Sequence, residues 1–277
     1  ATRPHAQTTS PCQPIAQSGS AGASRSDDHH RTGVHDQPQG VLASLPNSEA
    51  TAMPAPSAAT RQPNPPKRRA IELPDLMPHD GRPLTAAGEH ERTLFKGADL
   101  TGQIAPTSHL TECRMHDCTL DDVDLRRARL HDTVLSACQS STLDLTNARL
   151  HDVKIDGCRI GALLAPDTAI KHVTVTGGRW TFVNLRSARL TDVVFEGVRL
   201  DDLDLSGATL ERVSFDGCTI GTLSLHAASL TDVDLSGATL RDVHGIEHLR
   251  GASVSPGQLM QLAPVIATHL GIQITGT

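Results

Sequence analysis

Every fifth residue from Phe95 to Leu240 is apolar at 29 of 30 positions, Ser140 being the exception. That spacing excludes most ordinary architectures, because a helix renews its buried face about every 3.6 residues and a strand every 2. A second set lies two residues before each centre (Ala98, Cys118, Val123, Ala128, Leu143, Val153) and is apolar in 24 of 30 cases. Residues two apart point to the same side of an extended chain. Each unit therefore buries two side chains and then turns a polar corner.

A longer period gives the number of sides. Gly157, Gly177, Gly197, Gly217 and Gly237 recur every 20 residues at one corner, and Asp132, Asp152, Asp192 and Asp232 at another. Four sides of five residues make one coil, so the expected fold is all-β, a quadrilateral parallel β-helix. On two opposite sides the residue before the centre is mostly Val or Leu, and on the other two mostly Ala or Cys. So narrow a core has little room for aromatics, which make up 2% of the chain with no Tyr. Phe95, Trp180, Phe195 and Phe215 sit at centres and Phe182 at a corner.

The repeat block is expected over 93–243. Its regular part, Thr93 to Asp242, is 150 residues or 7.5 coils of 20, a column of roughly 36 Å at about 4.8 Å per coil. Residues 244–277 form a C-terminal cap with a helix over 256–270. Ser255 is its N-cap, Pro256 lies in the first turn, Gln258 completes a capping box and Gly271 terminates it. Leu259, Leu262, Ala263, Ile266 and Leu270 make one stripe, which reads as a lid for the open column end, a homodimer contact, or both.

Residues 1–70 are Pro, Ser, Ala, Gln, Thr and Gly with little to bury, and read as a disordered low-complexity arm. Residues 71–92 read as an irregular linker or N-terminal cap. Lys67, Arg68 and Arg69 beside PNPP read as a solvated basic run. Up to residue 90 eight acidic residues balance eight basic ones, so the net −6 belongs to the rest, with 23 acidic against 17 basic. That balance disfavours a general grip on nucleic acid or anionic membrane. No run reaches the length of a membrane span, and ATRPHAQTTS lacks the apolar run of a signal peptide, so a soluble chain is expected, and cysteines read as reduced thiols fit a cytoplasmic setting.

The units KGADL at 96–100, TNARL at 146–150, RSARL at 186–190 and SGATL at 206–210 and 236–240 resemble the A(D/N)LXX repeat of the pentapeptide repeat proteins. The resemblance implies that family's right-handed, four-sided parallel β-helix. It also brings a functional comparison: the best understood group in the family resembles B-form DNA in shape and charge, binds DNA gyrase, shields it from quinolones, and pairs through a C-terminal element. In this sequence the central Asp or Asn of the repeat is often replaced, as at Arg129, Arg149, Lys154, Arg159, Arg179, Arg189 and Arg199. The expectation is therefore a non-enzymatic protein-binding or scaffolding module with an unidentified protein partner. A DNA-mimic regulator of gyrase is the alternative, and an enzyme a remote one.

The chemistry-bearing residues fit that expectation. Cys113, Cys118, Cys138, Cys158 and Cys218 fall at inward positions where Ala stands elsewhere, and read as small buried side chains in reduced form. His131 and His151 should stack beside Asp132 and Asp152 as a solvated corner. The chain has no phosphate loop, nucleophile elbow or zinc motif, so no catalytic, cofactor or metal residue is expected. What remains is charge in ladders. Asp124, Asp144 and Asp204, with Asn184, line one side and Arg159, Arg179 and Arg199 another; these six charged residues are the binding candidates. Asp121, Asp122, Asp201 and Asp202 lie at a leading corner, and Glu112, Asp132, Asp152, Asp192 and Asp232 form a third row. The arginine ladder is expected either to be balanced by Glu196, Asp156 and water, or to serve as a docking strip for an acidic partner.

Overall fold

The structure, a computed structural model, describes residues 62–273 and 275. From Thr93 the backbone winds into coils, and each strand pairs in parallel with the strand 20 residues on. Arg129, Arg149, Ala169, Arg189 and Thr209 are successive partners along one sheet. Gln139, Arg159, Arg179, Arg199, Thr219 and Thr239 are successive partners along the other. The first sheet has eight-residue strands such as Arg149–Asp156 and Arg189–Glu196, each bending through a corner; the second has six-residue strands such as Arg159–Leu164 and Arg199–Asp204.

The period of five appears in the backbone itself. The residue two after the centre adopts a left-handed conformation at all four corners of one early coil, Asp122, Arg127, Asp132 and Ala137 with φ of 55, 60, 48 and 54°, and at three of the four in the next coils, as at Asn147, Asp152 and Gly157. Glycine meets that requirement without strain, and φ is 59 to 64° at Gly157, Gly177, Gly197 and Gly217. Elsewhere the corner is held by Asp, Asn or a residue that pays about 1 kcal/mol or more for the conformation. The parallel hydrogen bonds between coils over-determine it.

The interior is the expected thin tube. Leucines at the centres are almost fully buried, among them Leu185, Leu190, Leu200, Leu205 and Leu210. Each contributes about 1.5–3 kcal/mol by leaving water. Phe195 and Phe215 stack at 4.8 Å between centroids, and Trp180 meets Phe195 edge-on at 6.5 Å. Ser140, the polar exception, is buried and donates its hydroxyl to the Leu120 carbonyl at 2.7 Å. Thr168 does the same to Leu145 at 2.8 Å. A small hydroxyl is tolerated at these positions because the coil below offers a carbonyl.

Both ends of the column are closed. Met77–Pro78 pairs with Thr93–Leu94, and the Leu84 amide donates to Gln103 Oε1 at 2.7 Å. At the other end the helix Pro256–His269 carries the capping box of Ser255 and Gln258. Gln258 is buried, and its Nε2 donates to the Leu235 and Ala238 carbonyls, each at 2.7 Å. Leu262 packs on the core, whereas Leu259, Met260 and Leu270 face solvent. The expected stripe is thus split, with its middle covering the column.

One segment differs from its expectation. Residues 62–70, read from composition as the end of a disordered arm, lie along the column. What composition misses is a binding surface elsewhere in the same chain. The expectation for residues 1–61 lies outside the described residues.

Candidate functional site

The surface feature that gathers most chemistry is the corner that follows the first sheet's bend. Its residues, 20 apart, are Arg92, Glu112, Asp132, Asp152, His172, Asp192, Arg212 and Asp232, all left-handed with φ between 48 and 56°. Stacking them at the coil repeat would be costly for like charges; Arg92, His172 and Arg212 break the row, while Glu112, Asp132 and Asp152 follow one another. Arg92 Nε donates to Glu112 Oε2 at 2.8 Å. His172 lies between two carboxylates, with Nδ1 3.2 Å from Asp152 Oδ1 and Nε2 3.6 Å from Asp192 Oδ2. Arg212 grips Asp192 with both arms of its fork, Nε to Oδ1 at 2.6 Å and Nη2 to Oδ2 at 2.9 Å. Asp152 and Asp192 are only 5% and 3% exposed. The Arg212 hydrogen bonds outweigh the cost of that burial and, helped by the Lys67 amide, hold the Asp192 carboxyl at about 2.

Residues 62–69, Gln-Pro-Asn-Pro-Pro-Lys-Arg-Arg, run down this corner against the direction of coil growth. Three prolines remove amide donors and favour an extended path, so side chains and one amide make the contacts. Asn64 Nδ2 donates to Asp232 Oδ2 at 2.7 Å, the Lys67 amide to Asp192 Oδ1 at 3.0 Å, Arg68 Nη1 to Glu196 Oε2 at 3.2 Å and Arg69 Nη1 to Asp152 Oδ2 at 3.3 Å. In the six residues from Asn64 to Arg69 the segment thus descends from the Asp232 coil to the Asp152 coil. It does not fill the space it covers: a groove of about 890 Å³ remains between Pro63, Pro65, Arg68 and the column at Phe215, Asp232 and Val254. The basic run read as solvated is therefore a strap on an acidic ladder.

Beside the strap's lower end the His131 and His151 rings stack at 5.1 Å and 4°, as their register requires. His131 Nδ1 is 2.9 Å from Asp132 Oδ2, and His151 Nδ1 is 2.9 Å from Asp152 Oδ2. Burial pushes the His151 imidazole below its ordinary range. His131, His151 and Asp152 are the described residues whose donor atoms converge closely enough to hold a metal ion. His172 is the member that sequence reading missed. Its interval of 20 from Asp152 was visible, but not its burial between the two carboxylates.

The six predicted binding residues fall into two groups. Asp124, Asp144 and Asp204 stack as expected, but each spends one carboxylate oxygen on the backbone amide two residues ahead, at Arg126, Thr146 and Ser206. They fold the turn. Asp124 and Asp204 also pair with Arg126 and Arg186. Arg159, Arg179 and Arg199 are in register on one face, and Asp201 accepts from both Arg179 and Arg199, at 2.7 and 2.9 Å. That carboxylate, and not the expected Glu196 or Asp156, pairs with the upper two arginines of the ladder, and Glu196 is taken by Arg68. The five described cysteines are buried free thiols, and burial raises those of Cys113 and Cys218.

A family model for pentapeptide repeats matches in 8 copies over residues 93–136 and 181–217. Among solved structures, a trypsin-treated form of QnrB1, a plasmid-mediated fluoroquinolone resistance protein, is 20% identical, covering 68% of this chain and 100% of that one at a TM-score of 0.27. HetL, a pentapeptide repeat protein involved in heterocyst differentiation regulation from the cyanobacterium Nostoc sp. strain PCC 7120, is 20% identical, covering 62% of this chain and 91% of that one at a TM-score of 0.28. No curated protein matches.

Proposed function

The chain belongs to the pentapeptide repeat family, and we propose that it works without catalysis, as a protein-binding module whose acidic corner grips extended, basic, proline-containing segments. One observation carries this reading: the corner already holds such a segment, residues 62–69, through contacts spread over Asp152, Asp192, Glu196 and Asp232. The chemistry is suited to the task. A buried, fully ionised Asp192 accepts a backbone amide, which any extended chain can supply. The flanking carboxylates then select for arginine. Exposed ion pairs of the Arg68 and Arg69 kind are worth about 1 kcal/mol or less each, so the strap is held by the sum of weak contacts and is exchangeable.

The same geometry speaks against the gyrase reading. A DNA mimic needs an unbroken acidic face, and here Arg126, Arg179, Arg186, Arg199 and Arg212 neutralise the aspartates beside them. A cytoplasmic setting and an unidentified protein partner remain part of the proposal.

The test is fluorescence anisotropy with the labelled peptide TRQPNPPKRRAI and the full chain, with and without Arg68→Ala and Arg69→Ala. A tether of this kind presents the strap at about millimolar effective concentration. Free peptide should therefore bind the intact chain weakly and the doubly substituted chain about tenfold or more tightly. A peptide with Lys67, Arg68 and Arg69 changed to glutamate should bind neither. No binding to either protein would sink the proposal.

A further inference from the structure

We propose that the corner formed by His131, His151 and Asp152 is a binding site for a divalent transition-metal ion of the zinc class, held by two imidazoles and one carboxylate with water completing the shell. The donor atoms of the three residues lie within 4.8 Å of one another. The coil places them there: His131 and His151 are register partners on neighbouring strands with stacked rings, and Asp152 is the left-handed corner residue beside His151. Two imidazole nitrogens and a carboxylate oxygen form a donor set that suits zinc, which takes ligands at about 2.0–2.2 Å in tetrahedral sites and keeps a fourth position for water. His151 Nδ1 and Asp152 Oδ2 stand 2.9 Å apart. They need only a few tenths of an ångström more to span such an ion.

A second observation points to a ligand. Buried polar atoms are nearly always hydrogen-bonded, yet His151 Nδ1, Asp152 Oδ1 and His172 Nδ1 are buried here without a hydrogen bond of proper geometry. All three belong to this cluster, and a cation on Asp152 and His151 would satisfy the first directly. The surroundings already resemble the outer shell of a metal site. Asp132 Oδ2, 2.9 Å from His131 Nδ1, orients that ring. His172 Nδ1 lies 3.2 Å from the inner oxygen of Asp152, close by but without hydrogen-bond geometry.

Arg69 gives the site a signature that scattered surface histidines would lack. Its Nη1 is 3.3 Å from Asp152 Oδ2, the oxygen the ion would take, so guanidinium and metal compete. The experiment is calorimetric titration of the chelator-treated full chain with zinc chloride and with cobalt chloride, the latter also read by visible absorption. One ion per chain with tetrahedral cobalt bands is expected at this site. His131→Gln and His151→Gln should each weaken binding about tenfold or more. Arg69→Ala should tighten it, and His116→Gln, on another part of the column, should leave it unchanged. Histidine-selective NMR of the unsubstituted chain reads the same site without any variant: zinc should move the His131 and His151 ring signals first. Affinity insensitive to both histidine substitutions, weaker binding in Arg69→Ala, or zinc moving other histidines first would overturn the proposal.

Discussion

Asp192 offers the cleanest perturbation of the charged corner. Asn is close to Asp in size and tolerates the left-handed conformation of this position, where φ is 56°. Asp192→Asn therefore keeps the turn and an oxygen for the Lys67 amide, and removes only the charge that Arg212 holds. The carboxyl titrates at about 2 in the fold against 3.8 ordinarily. With the folded value depressed, the contribution to stability is complete above the unfolded value and is lost as pH falls through the folded one. It amounts to about 2.4 kcal/mol at pH 7, about 1.3 at pH 3 and about 0.4 at pH 2. Urea unfolding followed by circular dichroism at pH 7, 5, 4 and 3 should show the variant less stable by about 2 kcal/mol near neutrality, with the gap roughly halved at pH 3. A variant equal to the parent at pH 7, or a gap constant across the series, would refute the reasoning, because either result means that Arg212 does not hold an ionised Asp192 in the fold.

Leu205→Asp puts a charge into a tube with no room for water and should abolish the cooperative unfolding transition. Cys138→Ala, which puts at this inward position the residue found at Ala148 and Ala188, should cost about 1 kcal/mol or less, both read by thermal circular dichroism. Gln258→Ala leaves the Ala238 carbonyl without its side-chain donor and the Leu235 carbonyl with the Ala238 amide alone, and should cost about 1–3 kcal/mol, with faster amide exchange confined to the last coils. Gyrase supercoiling of relaxed plasmid at low salt should be inhibited weakly or not at all by micromolar protein, and potent inhibition would restore the DNA-mimic reading.

The solenoid was legible because its signal is repeated. One buried pair and one turn recur 30 times, and parallel stacking converts the spacing of 20 directly into neighbours, which placed the His131–His151 stack and the arginine ladder in advance. The capping helix was legible from Ser255, Pro256 and Gln258, since caps are local. The strap was not, because Gln62 to Arg69 carry no apolar residue except proline and their partners lie 83 to 168 residues away. Composition reports what a segment can bury, and this one is held by what it can donate. The local part of Asp124, Asp144 and Asp204 was not legible for a related reason: a ladder of aspartates looks like a surface, whereas one oxygen of each accepts the amide two residues ahead.

The account turns on the strap lying on the corner, and one amide reports it. The four lysines are Lys67, Lys96, Lys154 and Lys171, so a sample labelled with 15N-lysine gives four backbone signals, three of them from strand residues of the column. Hydrogen exchange of the Lys67 signal in the full chain is the measurement. Donation to the buried Asp192 carboxylate predicts exchange far slower than in the free peptide TRQPNPPKRRAI, and acceleration when Asp152 and Glu196 are neutralised. Exchange at the free-peptide rate would show the corner empty and contradict the reading of this protein as a module that grips extended basic chains.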